Sequence, residues 1–119
     1  MLLSDVIDVL HCDELLVLDH DRGRPIADCF AADLMSEVLA FSGHGALLLT
    51  GLTNVQSVRT AALADLRAVV YVRGKQPDPQ AMELAHEEGL PLLVTRLGMF
   101  EACGRLYQHG FGRPGAGER

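Results

Sequence analysis

The chain has 119 residues, 49% of them apolar but only 5% aromatic, with no Trp and a formal net charge of −6. That length suits one domain with a core that needs neither disulfides nor a metal, and a core of Leu, Val and Ala suits helices packed on a sheet better than an all-β sandwich. The acidic balance argues against a nucleic-acid partner, which calls for a basic face, while leaving room for a local positive pocket.

Cys12, Cys29 and Cys103 are an odd set with no Cys-x-x-Cys spacing, as expected of reduced thiols in a cytosolic protein. Met1-Leu-Leu-Ser-Asp lacks the basic start and long apolar stretch of a signal peptide. The longest apolar runs fall short of the roughly 18 residues that a membrane span needs. A cytoplasmic chain with no membrane partner is therefore the expectation.

In chain order, Ser4 is positioned to cap a short helix with Val6, Val9 and Leu10 on one face. A strand follows over 15–18, a polar turn over 19–25 and another strand over 26–31. Asp33 begins a helix with Leu34, Val38 and Phe41 on one side and Met35 and Leu39 beside them, stopped by Ser42-Gly-His-Gly45. Leu47, Leu48 and Leu49 form an unbroken apolar run, as in a central strand covered on both faces. Thr50 and Gly51 end it, and Asn54 caps a helix running to about Asp65 that turns Val55, Val58, Ala61 and Ala62 inward. Ala68 to Val72 reads as a β-branched and aromatic strand. Asp78 then caps a helix with Pro79 at its first position and Gly89 at its end. Residues 90–94 make the next strand, with Pro91 near its start. The last helix, over about 97–109, turns Met99, Cys103, Leu106 and Tyr107 inward with Phe100 alongside, and Gly110 is its natural C-cap.

Strands alternating with helices at near-equal intervals predict a small α/β domain: an open, mainly parallel sheet of βα units with helices packed on it, joined by right-handed crossovers. This domain is expected over 1–111, with a flexible tail over 112–119.

In such a sheet, ligands bind beyond the C-terminal ends of the strands. Those ends carry Thr50, Gly51, Thr53 and Asn54, then Arg73, Gly74 and Lys75, then Thr95 with Arg96. Hydroxyls, an amide, glycines and three cations on one edge of an acidic chain are what a phosphate or carboxylate needs. The same residues also serve as turn glycines, an N-cap and solvated cations, and the sequence alone leaves both readings open. Neither Gly-x-x-x-x-Gly-Lys-Ser/Thr nor Gly-x-Gly-x-x-Gly is present. Within the helix, Arg59 is expected at the surface and Thr60 partly buried.

His11-Cys12-Asp13, and His20 between Asp19 and Asp21, are too irregularly placed to point at one metal, and no metal or cofactor is expected. His44 reads as a turn residue, while His86 and His109 sit in last helical turns, where a cation suits the dipole. Ser36 and Ser57 lie mid-helix, where a nucleophile is seldom exposed, so no catalytic arrangement is expected.

From about Asp28 to Phe111 the sequence resembles a DRTGG domain, and the small stand-alone members most. The resemblance lies in residues 32–41 (Ala-Asp-Leu-Met-Ser-Glu-Val-Leu-Ala-Phe), 50–54 (Thr-Gly-Leu-Thr-Asn), 58–61 (Val-Arg-Thr-Ala) and 72–77 (Val-Arg-Gly-Lys-Gln-Pro), and in Thr95 with 99–104 (Met-Phe-Glu-Ala-Cys-Gly). Similar domains accompany CBS domains in some pyrophosphatases and resemble the N-terminal domain of HPr kinase/phosphorylase, without its phosphate-binding catalytic domain. The resemblance implies an α/β regulatory or interaction module, often self-associating, with no activity of its own. The chain departs from the name-giving pattern: Leu52-Thr-Asn54 follows Thr50-Gly51 where many members have Asp-Arg, and Arg73-Gly-Lys75 stands where they have Thr-Gly-Gly.

Two functional expectations follow. One is a non-enzymatic module acting as a homodimer or through a partner protein. The other is a sensor of a small anion or adenine nucleotide, with Asn54 and the Gly51 backbone as donors and Arg73 and Lys75 as neutralising cations. An enzyme, which would need a base and a metal-binding carboxylate at the same edge, ranks behind both.

Overall fold

A computed structural model of the chain describes residues 1–111; the tail expected over 112–119 lies outside the described residues. The elements run α1 (Leu3–Leu10), β1 (Asp13–Leu16), α2 (Asp19–Arg22), β2 (Cys29–Ala31), α3 (Met35–Phe41), β3 (Leu47–Thr50), α4 (Val55–Leu63), β4 (Ala68–Tyr71), α5 (Pro79–Glu88), β5 (Leu92–Val94) and α6 (Met99–Gln108). The five strands form one sheet in the order β1-β5-β4-β3-β2. Strands β2, β3, β4 and β5 are mutually parallel, and β1 pairs with β5 antiparallel. The expected α/β architecture, an open and mainly parallel sheet of βα units, is present. The middle strand, however, is β4, and the Leu47–Thr50 strand lies second from the edge.

Alternation along the parallel strands sorts the core into two layers. Leu48, Val69, Tyr71, Leu92 and Val94 face helices α3, α4 and α5 through Met35, Val38, Val58, Ala61, Ala81 and Ala85. Leu47, Leu49, Ala68, Val70 and Leu93 face α1 and α6 through Leu3, Val6, Leu10, Ala102 and Leu106. The side chains of β3, β4 and β5 are all buried, as a sheet covered on both sides requires. The three crossovers advance in one direction and put their helices on one face, so they share one hand; strand twist favours the right-handed one. Tyr71 brings a hydroxyl into this layer and bonds Ser57 Oγ at 2.8 Å. Ser57 Oγ donates its one proton to the Asn54 carbonyl at 2.8 Å, so Tyr71 is the donor to Ser57.

Several local expectations are corrected. Ser4 lies inside α1; the N-cap is Leu2, whose N–H donates to Asp5 Oδ2 at 2.7 Å. The inward face is Leu3, Val6 and Leu10, with Val9 only half-buried. The first strand occupies Asp13–Leu16, ahead of 15–18, because Leu18 is drawn out to precede α2, where its N–H donates to Asp21 Oδ2 at 2.9 Å. The turn over 19–25 contains that one-turn helix, and Arg22 clamps Glu14 of β1 across the gap. In α3 the buried pair is Met35 and Val38, while Leu34 and Phe41 are 58% and 73% exposed. The sheet covers the stripe through Met35 and Val38 and leaves Leu34 and Phe41 outside it. In α6 the buried residues are Ala102 and Leu106; Phe100 is 94% exposed and Tyr107 55%. His109, ahead of Gly110, is the C-cap. Asn54 and Gly89 hold the expected helix ends, with Asn54 Oδ1 accepting from the Gln56 N–H and Gly89 in the left-handed region at φ 66°.

All three cysteines are unpaired and half-buried. Burial, reinforced by Asp13 and Glu14, pushes the Cys12 thiol from its ordinary 9.0 up to about 12. Burial beside Asp28 raises Cys29, and burial raises Cys103. Each thiol keeps its proton in the folded state to a higher pH than in the unfolded chain, so this contribution to stability is whole below the unfolded value near 9 and is lost as pH rises above it. Denaturant unfolding at pH 6, 7.5 and 11 is expected to give nearly the same stability at the first two and a decline at the third. The alkaline loss shrinks when Cys12→Ala removes the titrating group. Equal pH dependence in Cys12→Ala and the parent protein would contradict this.

Candidate functional site

Because β2 to β5 are parallel, four chain exits emerge on one rim: Ala32-Asp33 after β2, Thr50 to Asn54 after β3, Val72 to Lys75 after β4, and Thr95 to Leu97 after β5. Backbone bonds stitch them together. The Val72 N–H donates to the Thr50 carbonyl at 3.1 Å, the Gly74 N–H to Thr95 at 2.8 Å, the Arg73 N–H to Leu97 at 2.8 Å and the Asp78 N–H to Thr53 at 2.9 Å. The eight residues singled out from sequence are thus brought to one rim.

Their polar groups divide into two kinds. The buried Thr50 hydroxyl donates to Asp33 Oδ1 at 2.9 Å and accepts from the Leu52 N–H at 3.1 Å. The buried Thr95 hydroxyl does the same at the β5 exit, donating to the Leu10 carbonyl at 2.7 Å and accepting from the Leu97 N–H at 3.2 Å. Both hydroxyls, expected at a ligand, hold turns. Asn54 Oδ1 is engaged with the Gln56 N–H at 3.1 Å and the Gly51 N–H with Asp33 Oδ1 at 2.7 Å, so neither Gly51 nor Gly74 keeps its N–H for an outside anion. Arg73 and Gly74 are consecutive left-handed residues at φ 62° and 68°. For Arg73 that conformation costs roughly 1–2 kcal/mol, offset by the two backbone bonds that fix the turn. Thr53 is half-buried, and its carbonyl is taken by Asp78.

The cations are the second kind. Arg73, Lys75 and Arg96 are exposed on the rim. Lys75 Nζ donates to the Gly51 carbonyl at 3.1 Å. The guanidinium groups of Arg73 and Arg96 have neither a hydrogen bond nor an ion pair among the described residues. The rim therefore offers three cationic heads on a backbone that is already rigid, in a chain of net charge −6.

Asp33 is the residue that sequence reasoning missed, having taken it as a helix start. Its Oδ1 accepts from both Gly51 and Thr50, and its Oδ2 accepts from no described residue. A Cβ at Gly51 would stand 3.5 Å from Lys75 Nζ and 3.7 Å from each Asp33 carboxylate oxygen, so the ammonium and the carboxylate flank this glycine. The available signal was positional: Asp33 directly follows a strand parallel to β3 and exits at the same rim.

Elsewhere, a cavity of about 150 Å³ opens between β2 and α6, lined by Cys29, Ala31, Leu49, Cys103, Tyr107 and Phe111 among others. Asp21 is buried, with Oδ1 lying 3.3 Å from His20 Nε2. His44 pairs with Asp65 at 2.7 Å in its turn. Among the described residues no three His, Cys, Asp or Glu side chains come together to hold a metal, and no helix is long and apolar enough to cross a membrane.

No protein-family model matches the chain, and no curated protein matches it. Among solved structures it is similar to the crystal structure of the CBS and DRTGG domains of the regulatory region of Clostridium perfringens pyrophosphatase, complexed with the activator diadenosine tetraphosphate, with a TM-score of 0.75 at 16% identity. The match covers 90% of this chain and 46% of that one. The α/β fold described above, with its four strand exits on one rim, is a DRTGG-like fold.

Proposed function

We propose that this chain is a non-catalytic regulatory module that senses a small anionic ligand, an adenine nucleotide being the leading class, at the rim where β2 to β5 end. The observation that carries this reading is the gathering of Arg73, Lys75 and Arg96 on one rigid rim of an acidic chain. Cationic side chains above a pre-organised backbone lose little entropy when an anion arrives, and a bidentate guanidinium suits phosphate geometry. The fold-level likeness to a regulatory region that is bound to a dinucleoside polyphosphate activator adds support. A regulatory role without catalysis is supported at the rim by the Thr50 and Thr95 hydroxyls, which are tied to turns, and away from it by burial that raises the three thiols and keeps them protonated.

Thermal unfolding with phosphate, an acyl phosphate, ATP and diadenosine tetraphosphate tests this reading. A ligand specific to the native state at a hundredfold its Kd adds about 2.7 kcal/mol, a rise in Tm of roughly ten degrees or more for a chain of this size. The nucleotides are expected to raise Tm, and Arg73→Ala with Lys75→Ala to abolish most of the rise. No shift with any of the four compounds would contradict the reading.

A second reading, self-association as a homodimer, is favoured by one surface. On α6, Phe100 and Tyr107 are two helical turns apart on one stripe, 94% and 55% exposed. Tyr107 borders the apolar cavity beside edge strand β2. A C2 interface joins one patch to itself, and an aromatic knob next to an apolar hollow can satisfy both halves of such a contact. Light scattering at micromolar concentration is expected to give twice the 12.9 kDa chain mass, falling to the monomer mass in Phe100→Ser. A monomer in the parent protein would overturn the dimer and leave the rim reading standing.

A further inference from the structure

The rim carries one feature that an anion site does not need. Asp33 sets a carboxylate beside the lysine, held by two donors on one oxygen at 2.7 and 2.9 Å, while its other oxygen accepts nothing from the described residues. A site for phosphate, acyl phosphate or carboxylate alone gains nothing from a fixed anion next to Lys75, since like charges at such range repel. A carboxylate immobilised through one oxygen is instead a pre-organised acceptor, and the ligand group that suits it is a neutral donor of two neighbouring hydrogen bonds. A vicinal diol is such a group. In dinucleotide-binding α/β sheets an acidic side chain beyond a strand end hydrogen-bonds the ribose 2′-hydroxyl while the pyrophosphate lies at a helix N-terminus.

We propose that Asp33 is the ribose-selecting residue of this rim: its unengaged oxygen accepts from the 2′- and 3′-hydroxyls of a ribonucleoside polyphosphate whose phosphates lie against Lys75, Arg73 and Arg96. The inference rests on the reading of the rim as an anion site and narrows it from anions in general to ribonucleotides. It also accounts for Gly51. The ammonium and both carboxylate oxygens lie 3.5 to 3.7 Å from where its Cβ would stand, so a larger side chain would occupy the ground between the two recognition groups.

The test compares ATP, 2′,3′-dideoxy-ATP and inorganic tripolyphosphate by isothermal titration at one ionic strength, on the parent chain and on Asp33→Asn. The variant keeps an oxygen able to accept from the Gly51 N–H and the Thr50 hydroxyl but loses the charge and replaces the unengaged acceptor oxygen with an NH2 donor. Hydrogen bonds to a charged acceptor are strong enough for ATP to bind roughly tenfold or more tighter than the dideoxy analogue. In Asp33→Asn the two nucleotides are expected to bind alike. Equal affinity of the parent chain for ATP and the dideoxy analogue, or for ATP and tripolyphosphate, would overturn the role of Asp33 while leaving the rim as an anion site. A ribose preference that survives in Asp33→Asn would overturn it too. If none of the three binds, the anion-site reading fails and this inference falls with it. The parent-chain comparison decides the matter even where the variant folds poorly.

Discussion

The parallel alignment of β2, β3, β4 and β5 is the constraint from which the rest follows. A parallel strand cannot return through a tight hairpin, so each strand hands the chain to a crossover helix, and every exit falls at the same end of the sheet. Four loops then meet where one would otherwise stand alone. They interlock through backbone bonds such as Gly74 to Thr95 and Arg73 to Leu97, which link the exits of β4 and β5 directly. The wholly buried strands are a consequence of the same geometry, since helices pack on both faces.

At the rim the fold uses its polar atoms economically. A buried hydroxyl must have a partner, and Thr50 and Thr95 each find two by closing their own turns. Thr50 and Thr95 thereby become scaffold, and the groups that reach beyond it are the long charged side chains of Arg73, Lys75 and Arg96. Asp33 belongs to both groups, since one oxygen braces the β3 exit and the other is unengaged. A carboxylate and an ammonium on either side of Gly51 make the rim polar in both senses, a character that net charge alone does not convey.

Sequence patterning carried much of this architecture because the governing signals were local. Leu47 to Leu49, Asn54, Pro79 and Gly89 each mark a strand, a cap or a stop within a few residues of themselves, and the structure places those elements accordingly. Non-local pairings were not legible. The antiparallel docking of β1 on β5 joins distant parts of the chain, and Asp33 meets Gly51 across seventeen intervening residues of helix and strand. The amphipathic faces of α3 and α6 went astray for a related reason: helical spacing offers several candidate stripes, and the sheet beneath decides which one is covered. In α6 it covers Ala102 and Leu106 and leaves the larger Phe100 and Tyr107 outside. The rim positions were legible as positions, while the commitment of their hydroxyls to turns required the coordinates.

In the proposed function, recognition takes place where the four parallel strands end. Backbone amide shifts during titration of isotopically labelled protein with ATP measure this residue by residue. The account predicts the largest changes at Gly51, Arg73, Gly74, Lys75 and Arg96, with little movement in α1 or along the β2 edge. Changes concentrated instead around Cys29, Cys103 and Tyr107, with the rim amides still, would contradict it.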